Sequence, residues 1–94
     1  MKIVWDETKR QRNLDVHGLD FADLADFDWE RALIRDGHTS ERGGRRFKAL
    51  GEMEGHLVAV IFAKLGAEAY SIISMRPASR DERALHDESE EDET

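Results

Sequence analysis

The sequence predicts an α+β fold: an antiparallel sheet of four to five strands, with two helices ahead of it and a third behind. Segments rich in β-branched and aromatic residues, at Lys2–Trp5, Trp29–Ile34, Phe47–Met53, His56–Ala63 and Ala69–Met75, read as strands. The last three follow one another through Glu54-Gly55 and a turn around Gly66. Connections that short imply an antiparallel meander. Asp6, Asp20 and Ser79 each stand where a helix begins, with a side-chain oxygen available to the unpaired N–H groups of a first turn.

Taken in order, Lys2-Ile3-Val4-Trp5 suits a first strand, and Asp6 caps a helix from about Glu7 to Val16, stopped by Gly18. Lys9, Arg10, Gln11, Arg12 and Asn13 leave that helix little apolar stripe, so most of it is expected in solvent. Asp20 caps a second, short helix whose Phe21, Leu24 and Ala25 recur at helical spacing and face the sheet. After the strand at Trp29–Ile34, the polar, glycine-bearing segment from Asp36 to Gly44 reads as a loop. Leu57-Val58-Ala59-Val60-Ile61-Phe62 has no polar break, as expected of a central strand covered on both faces. Ser79-Arg80-Asp81-Glu82 is a capping box that opens the last helix.

A chain of 94 residues with 39% hydrophobic content supports one core. Without cysteine there is no disulfide framework and no thiolate site, and the four histidines are scattered, so no metal or other cofactor is expected. No apolar run approaches membrane-spanning length and the N-terminus lacks a signal peptide's apolar stretch, which predicts a cytosolic protein with no membrane partner. The net charge of −7 is unevenly spread. Asp87–Thr94 holds six of the 21 acidic residues and no basic one, which leaves fifteen acids against fourteen bases in residues 1–86. The expected organisation is a folded domain over 1–86 and a disordered acidic tail over 87–94, either solvated or folded back over a basic cleft.

Three stretches resemble the BrnT family of type II toxins: Lys2-Ile3-Val4-Trp5-Asp6-Glu7, the run from Asn13 through Val16-His17-Gly18 to Phe21, and the run from Ile72 through Met75-Arg76-Pro77 to Arg83. Their order and spacing match across almost the whole chain up to the tail. The resemblance implies a RelE-like fold and a metal-independent endoribonuclease. It also implies a BrnA-like ribbon-helix-helix antitoxin as partner, and operator DNA bound only through that antitoxin. Family members usually carry a lysine where this chain has Val16, and a Tyr-Gly-Glu-x-Arg motif where it has Arg42-Gly43-Gly44-Arg45-Arg46. The arginine is kept as Arg46, and His86 stands where a tyrosine is common in the last helix.

Cutting RNA without a metal requires a base for the 2′-hydroxyl, a proton for the leaving 5′-oxygen, and cations for the charge of the phosphorane. His17 lies at the family's histidine position and suits the proton transfers; alternatively it caps helix carbonyls and complements the dipole. Arg46 suits the phosphate, with Arg45 and Lys48 beside it as RNA-binding cations or as a solvated strand end. Alternation places Arg46 and Lys48 on one strand face and Phe47 on the other. Arg76, at the end of a strand, binds the transition-state phosphate or pairs with an acid of the last helix. Glu82 is explained by the capping box. His86, four residues on from Glu82, replaces the family tyrosine as proton donor or is an exposed histidine beside the tail. Lys9 and Arg12 on the first helix steer RNA, help bind the antitoxin, or are solvated charges. Trp5 and Phe62 read as core.

A growth-inhibiting endoribonuclease is the leading reading. The replaced tyrosine and glutamate favour the alternative, a catalytically weakened module that acts with its antitoxin in transcriptional autoregulation. The near-neutral body argues against a stand-alone RNA-binding domain.

Overall fold

A computed structural model describes residues 1–37 and 44–92. The elements run β1 (Lys2–Trp5), α1 (Glu7–His17), a 3-10 helix (Phe21–Asp26), β2 (Leu33–Asp36), β3 (Phe47–Met53), β4 (His56–Leu65), β5 (Ala69–Pro77) and α2 (Arg80–Asp92). The five strands form one sheet in the order β1-β5-β4-β3-β2, so the apolar strand β4 is central, as its sequence predicts. Val58, Ala59, Val60 and Phe62 are buried along it.

The α+β architecture is the expected one, with a difference in polarity at one edge. From β2 through β5 all pairings are antiparallel, whereas β1 pairs with β5 in parallel, through Lys2↔Ala69 to Trp5↔Ile72. The sheet is therefore mixed. Short connections fix the direction of the β3-β4-β5 meander; β1 is separated from its partner by most of the chain, so no turn dictates its direction. The β3–β4 turn uses Glu54 and Gly55, both with positive φ (51° and 82°), the conformation that matches the twist of a two-residue hairpin.

Local chemistry explains the other adjustments. Asp6 and Asp20 cap as expected, each side chain accepting from the N–H two residues on. The second helix is a 3-10 turn rather than an α-helix, and its Phe21 and Leu24 are buried against the sheet. The strand expected at Trp29–Ile34 begins only at Leu33. Before it, the Asp28 carboxylate accepts from Arg31 N–H and holds a turn. That turn brings the Trp29 ring edge-on to Phe27, Phe62 and Tyr70. Trp5 packs edge-on against Phe21 and Phe62 is fully buried, as expected of core residues. The core lies on the sheet face that carries Ala49, Val60, Phe62, Ile72 and Met75.

α2 continues through Asp92, so the acidic stretch expected to be disordered is helical where it is described, with no break at 86/87. A capped first turn removes the nucleation cost, and glutamates then propagate a helix well. The direction of α2 also overturns the idea of a tail over the basic cleft. Glu82 lies by Lys48, while His86 and Asp87 lie by Glu52, Gly55 and His56 at the hairpin end of β3, away from Arg46.

Asn13 fixes where α1 sits. β1 pairs with β5 only as far as Ile72, and beyond it Met75 N–H would face an empty edge. The buried Asn13 side chain accepts from that N–H at 2.9 Å and donates to Leu19 C=O at 2.9 Å. Asn13→Ala should cost about 1–3 kcal/mol, because a buried backbone donor loses its partner. A chemical-denaturation midpoint lowered at unchanged slope would show it.

Candidate active site

Sequence spacing puts Lys9, Arg12 and Val16 on one side of α1, with His17 following before the left-handed Gly18 (φ 70°) ends the helix. Because Asn13 ties α1 to β5, this side lies over β5. Lys9, Arg12, Val16, His17, Ile73 and Ser74 line a hollow of about 440 Å³ there.

A second hollow of about 450 Å³ lies on the sheet face opposite the core. Asp36, Gly37, Arg46, Lys48, Ile61, Ile73 and Ser74 line it. Register explains the grouping: Lys48 pairs with Ile61 and Ile61 with Ser74, so the three form one row across β3, β4 and β5. Alternation then keeps Arg46 on the side of Lys48, while Phe47 stacks on Phe62 on the core side, as the sequence predicts. Ile73 and Ser74 line both hollows, so the two adjoin at these residues. Lys9, Arg12 and His17 thus flank Ile73 and Ser74 in one hollow, and Arg46 and Lys48 flank the same two residues in the other. Among the described residues the side chains of His17 and Arg46 have no hydrogen-bond or ion-pair partner.

Arg76 lies two residues beyond Ser74 on the same face, and its guanidinium binds Glu82 through both oxygens, Nη1–Oε1 at 2.6 Å and Nη2–Oε2 at 2.9 Å. The Lys48 ammonium donates to Glu82 Oε2 at 2.8 Å and Ser79 N–H to Oε1 at 2.8 Å. Four donors converge on a carboxylate whose side chain is 6% exposed. The Arg76 bond first, then Lys48 and the Ser79 N–H, hold its pKa well below the ordinary carboxylate range against the opposing effect of burial. Arg76 is correspondingly raised by Glu82. Glu82 does close the capping box, with its N–H donating to the Ser79 hydroxyl oxygen at 3.2 Å, but it also joins two strands to α2.

Two expected site residues lie apart from these hollows. Arg45 donates to Asp36 at 2.9 Å with its guanidinium over the Phe47 ring, 5.2 Å from the centroid. His86 is buried rather than exposed, at 3%, in a hollow with Glu52, His56 and Arg83. The carboxylate facing its Nε2 is Glu90 at 3.8 Å, not Glu82, which is fully engaged elsewhere. Arg42 and Gly43 of the arginine-glycine segment, and most of the expected 36–44 loop, lie outside the described residues.

Sequence reasoning missed Ile73 and Ser74. The register between β4 and β5 shifts there, with Ser74 opposite Ile61 and Ile72 opposite Phe62, so Ile73 is an extra, bulged residue. Nothing in the local sequence marks that bulge.

The family model for "ribonuclease toxin, BrnT, of type II toxin-antitoxin system" matches residues 5–82. The chain belongs to the BrnT family. The 1.1 Å crystal structure of the Brucella abortus ribonuclease toxin BrnT is similar, at 48% identity and a TM-score of 0.64 over 85% of this chain and 99% of that one. No curated protein is significantly similar to the chain. The resemblance read from three sequence motifs therefore holds, and with it the toxin role in a type II toxin–antitoxin system, the ribonuclease class and an antitoxin partner. No helix among the described residues of this BrnT chain is long and apolar enough to cross a membrane.

Proposed function

We propose that this BrnT chain is an active endoribonuclease that cuts RNA in the cytosol without a metal ion, in the groove between α1 and the sheet. The observation that carries the proposal is the junction at Ile73 and Ser74, where the hollow holding His17 adjoins the one holding Arg46 and Lys48. A phosphate lying across that junction meets a titratable imidazole on one side and two cations on the other.

His17 takes the proton of the 2′-hydroxyl, whose oxygen attacks the neighbouring phosphorus. The 2′-O–P bond forms, the P–O5′ bond breaks, and the leaving oxygen takes a proton from solvent in the open groove. The product carries a 2′,3′-cyclic phosphate. Arg46 and Lys48 neutralise the charge that builds on the phosphorane, and Glu82 aims Lys48 and Arg76 from behind. Lys9 and Arg12 hold the RNA strand on one side of the cut, and the exposed Arg45 contacts it only at the rim. His86 has no part in this scheme, because its ring is covered.

A BrnA-like ribbon-helix-helix antitoxin neutralises the toxin, and operator DNA is bound through that antitoxin alone. The family membership and the three sequence motifs support this reading.

Expression of the chain alone in a bacterial host, followed by RNA integrity and growth, tests the activity. Wild type is expected to degrade RNA and arrest growth. Arg46→Ala should slow cleavage by about 10²-fold, the effect of removing one donor to a developing anionic charge. Intact RNA with well-folded wild-type protein would instead favour the autoregulatory binding module, which the replaced tyrosine and glutamate positions in the 42–46 segment already suggest.

A further inference from the structure

We infer that the hollow between α1 and β5 is a base-binding subsite, which seats the nucleobase next to the cleaved phosphate and gives the cut a base preference. The inference rests on the ribonuclease reading above.

The hollow has the composition that one nucleoside requires. Val16, 66% exposed, stands on α1 one turn beyond Arg12, where a solvated helix face would carry another polar residue. Ile73 supplies a second aliphatic wall. It is there because the β5 bulge adds a residue with no partner on β4 and re-aims the strand at this point. The Ser74 hydroxyl has no hydrogen-bond partner among the described residues. Both polar ends of Asn13, by contrast, are taken by Leu19 C=O and Met75 N–H, so Asn13 is not available to a ligand.

Charge placement selects the occupant. Lys9 and Arg12 lie at the α1 side of the apolar stretch, and Arg46 and Lys48 lie past Ser74 at the other end. Cation, apolar walls with one hydroxyl, cation is the complement of phosphate, nucleoside, phosphate. A base between Val16 and Ile73 buries its faces and offers an edge to Ser74, while its two phosphates reach the cations. Single-stranded RNA presents unstacked bases in this way.

The test is to digest a randomised RNA pool with the purified full-length chain and sequence the cut ends, for wild type, Ser74→Ala and Val16→Ala. Both substitutions remove atoms from positions that no described hydrogen bond needs. Wild type should prefer one class of base beside the cut by about three- to tenfold, the range of one hydrogen bond with its packing. In each variant the ratio between preferred and other bases at the cut ends should fall below about twofold, a readout independent of the overall rate. Indifference of wild type to the neighbouring base would overturn the inference and leave the ribonuclease reading intact. So would variants that keep the preference, or that change only the affinity for the antitoxin. Absence of any cutting by folded wild type would remove the ribonuclease reading itself, and this subsite with it.

Discussion

Replacing Glu82 with alanine is expected to destabilise the fold by about 2–4 kcal/mol at neutral pH. The side chain removed accepts from Arg76, Lys48 and Ser79 N–H, so its loss leaves two cations together without a counter-charge and opens the capping box. The lower part of the range reflects the solvent still open to Arg76 and Lys48, with side chains 35% and 30% exposed. Glu82→Gln isolates the electrostatic share. The folded-state pKa lies below the ordinary value of 4.5, so the contribution is complete above that value and is lost as pH falls below it toward the folded pKa. Wild type and Glu82→Gln should therefore differ most in urea midpoint at about pH 7, and the gap should narrow steadily as pH falls below 4.5 toward about pH 3. A gap that stays constant over this range would show that the carboxylate's charge contributes nothing.

His17→Ala is expected to reduce RNA cleavage by about 10²- to 10⁴-fold, the contribution of a positioned general base, with stability changed by less than about 0.5 kcal/mol. The side chain is exposed and has no partner among the described residues, so removing it disturbs no packing. Single-turnover cleavage beside a denaturation curve separates the two quantities. A helix-capping role for His17 predicts the reverse pattern: activity near that of wild type and a measurable loss of stability.

The sequence made visible those parts of the fold that depend on neighbours along the chain. Caps at Asp6, Asp20 and Ser79, the stop at Gly18 and the Glu54-Gly55 hairpin are local chemistry, and all stand where they were read. What depends on distant partners was not legible. The parallel pairing of β1 joins residues more than sixty positions apart, and Lys48 meets Glu82 only because α2 packs on the sheet face to which the Lys48 side chain points. The acidic tail misled because composition describes an isolated segment, whereas α2 enters residues 87–92 already nucleated. Of the site, residue types and their order pointed to His17, Arg46 and Lys48. The bulge at Ile73, a residue that lines both hollows, carries no sequence signal. His86 was misplaced for a related reason: helical spacing from Glu82 was legible, but the prior engagement of that carboxylate by Arg76 and Lys48 was not.

The most direct test of the central claim is RNA cleavage by the purified chain in the presence of a strong chelator, with His17→Ala and Arg46→Ala alongside and the product ends identified. The account predicts undiminished cutting by wild type, 2′,3′-cyclic phosphate ends, and loss of cutting by both variants. Intact RNA from folded wild type, or cutting that stops when divalent ions are removed, would contradict it.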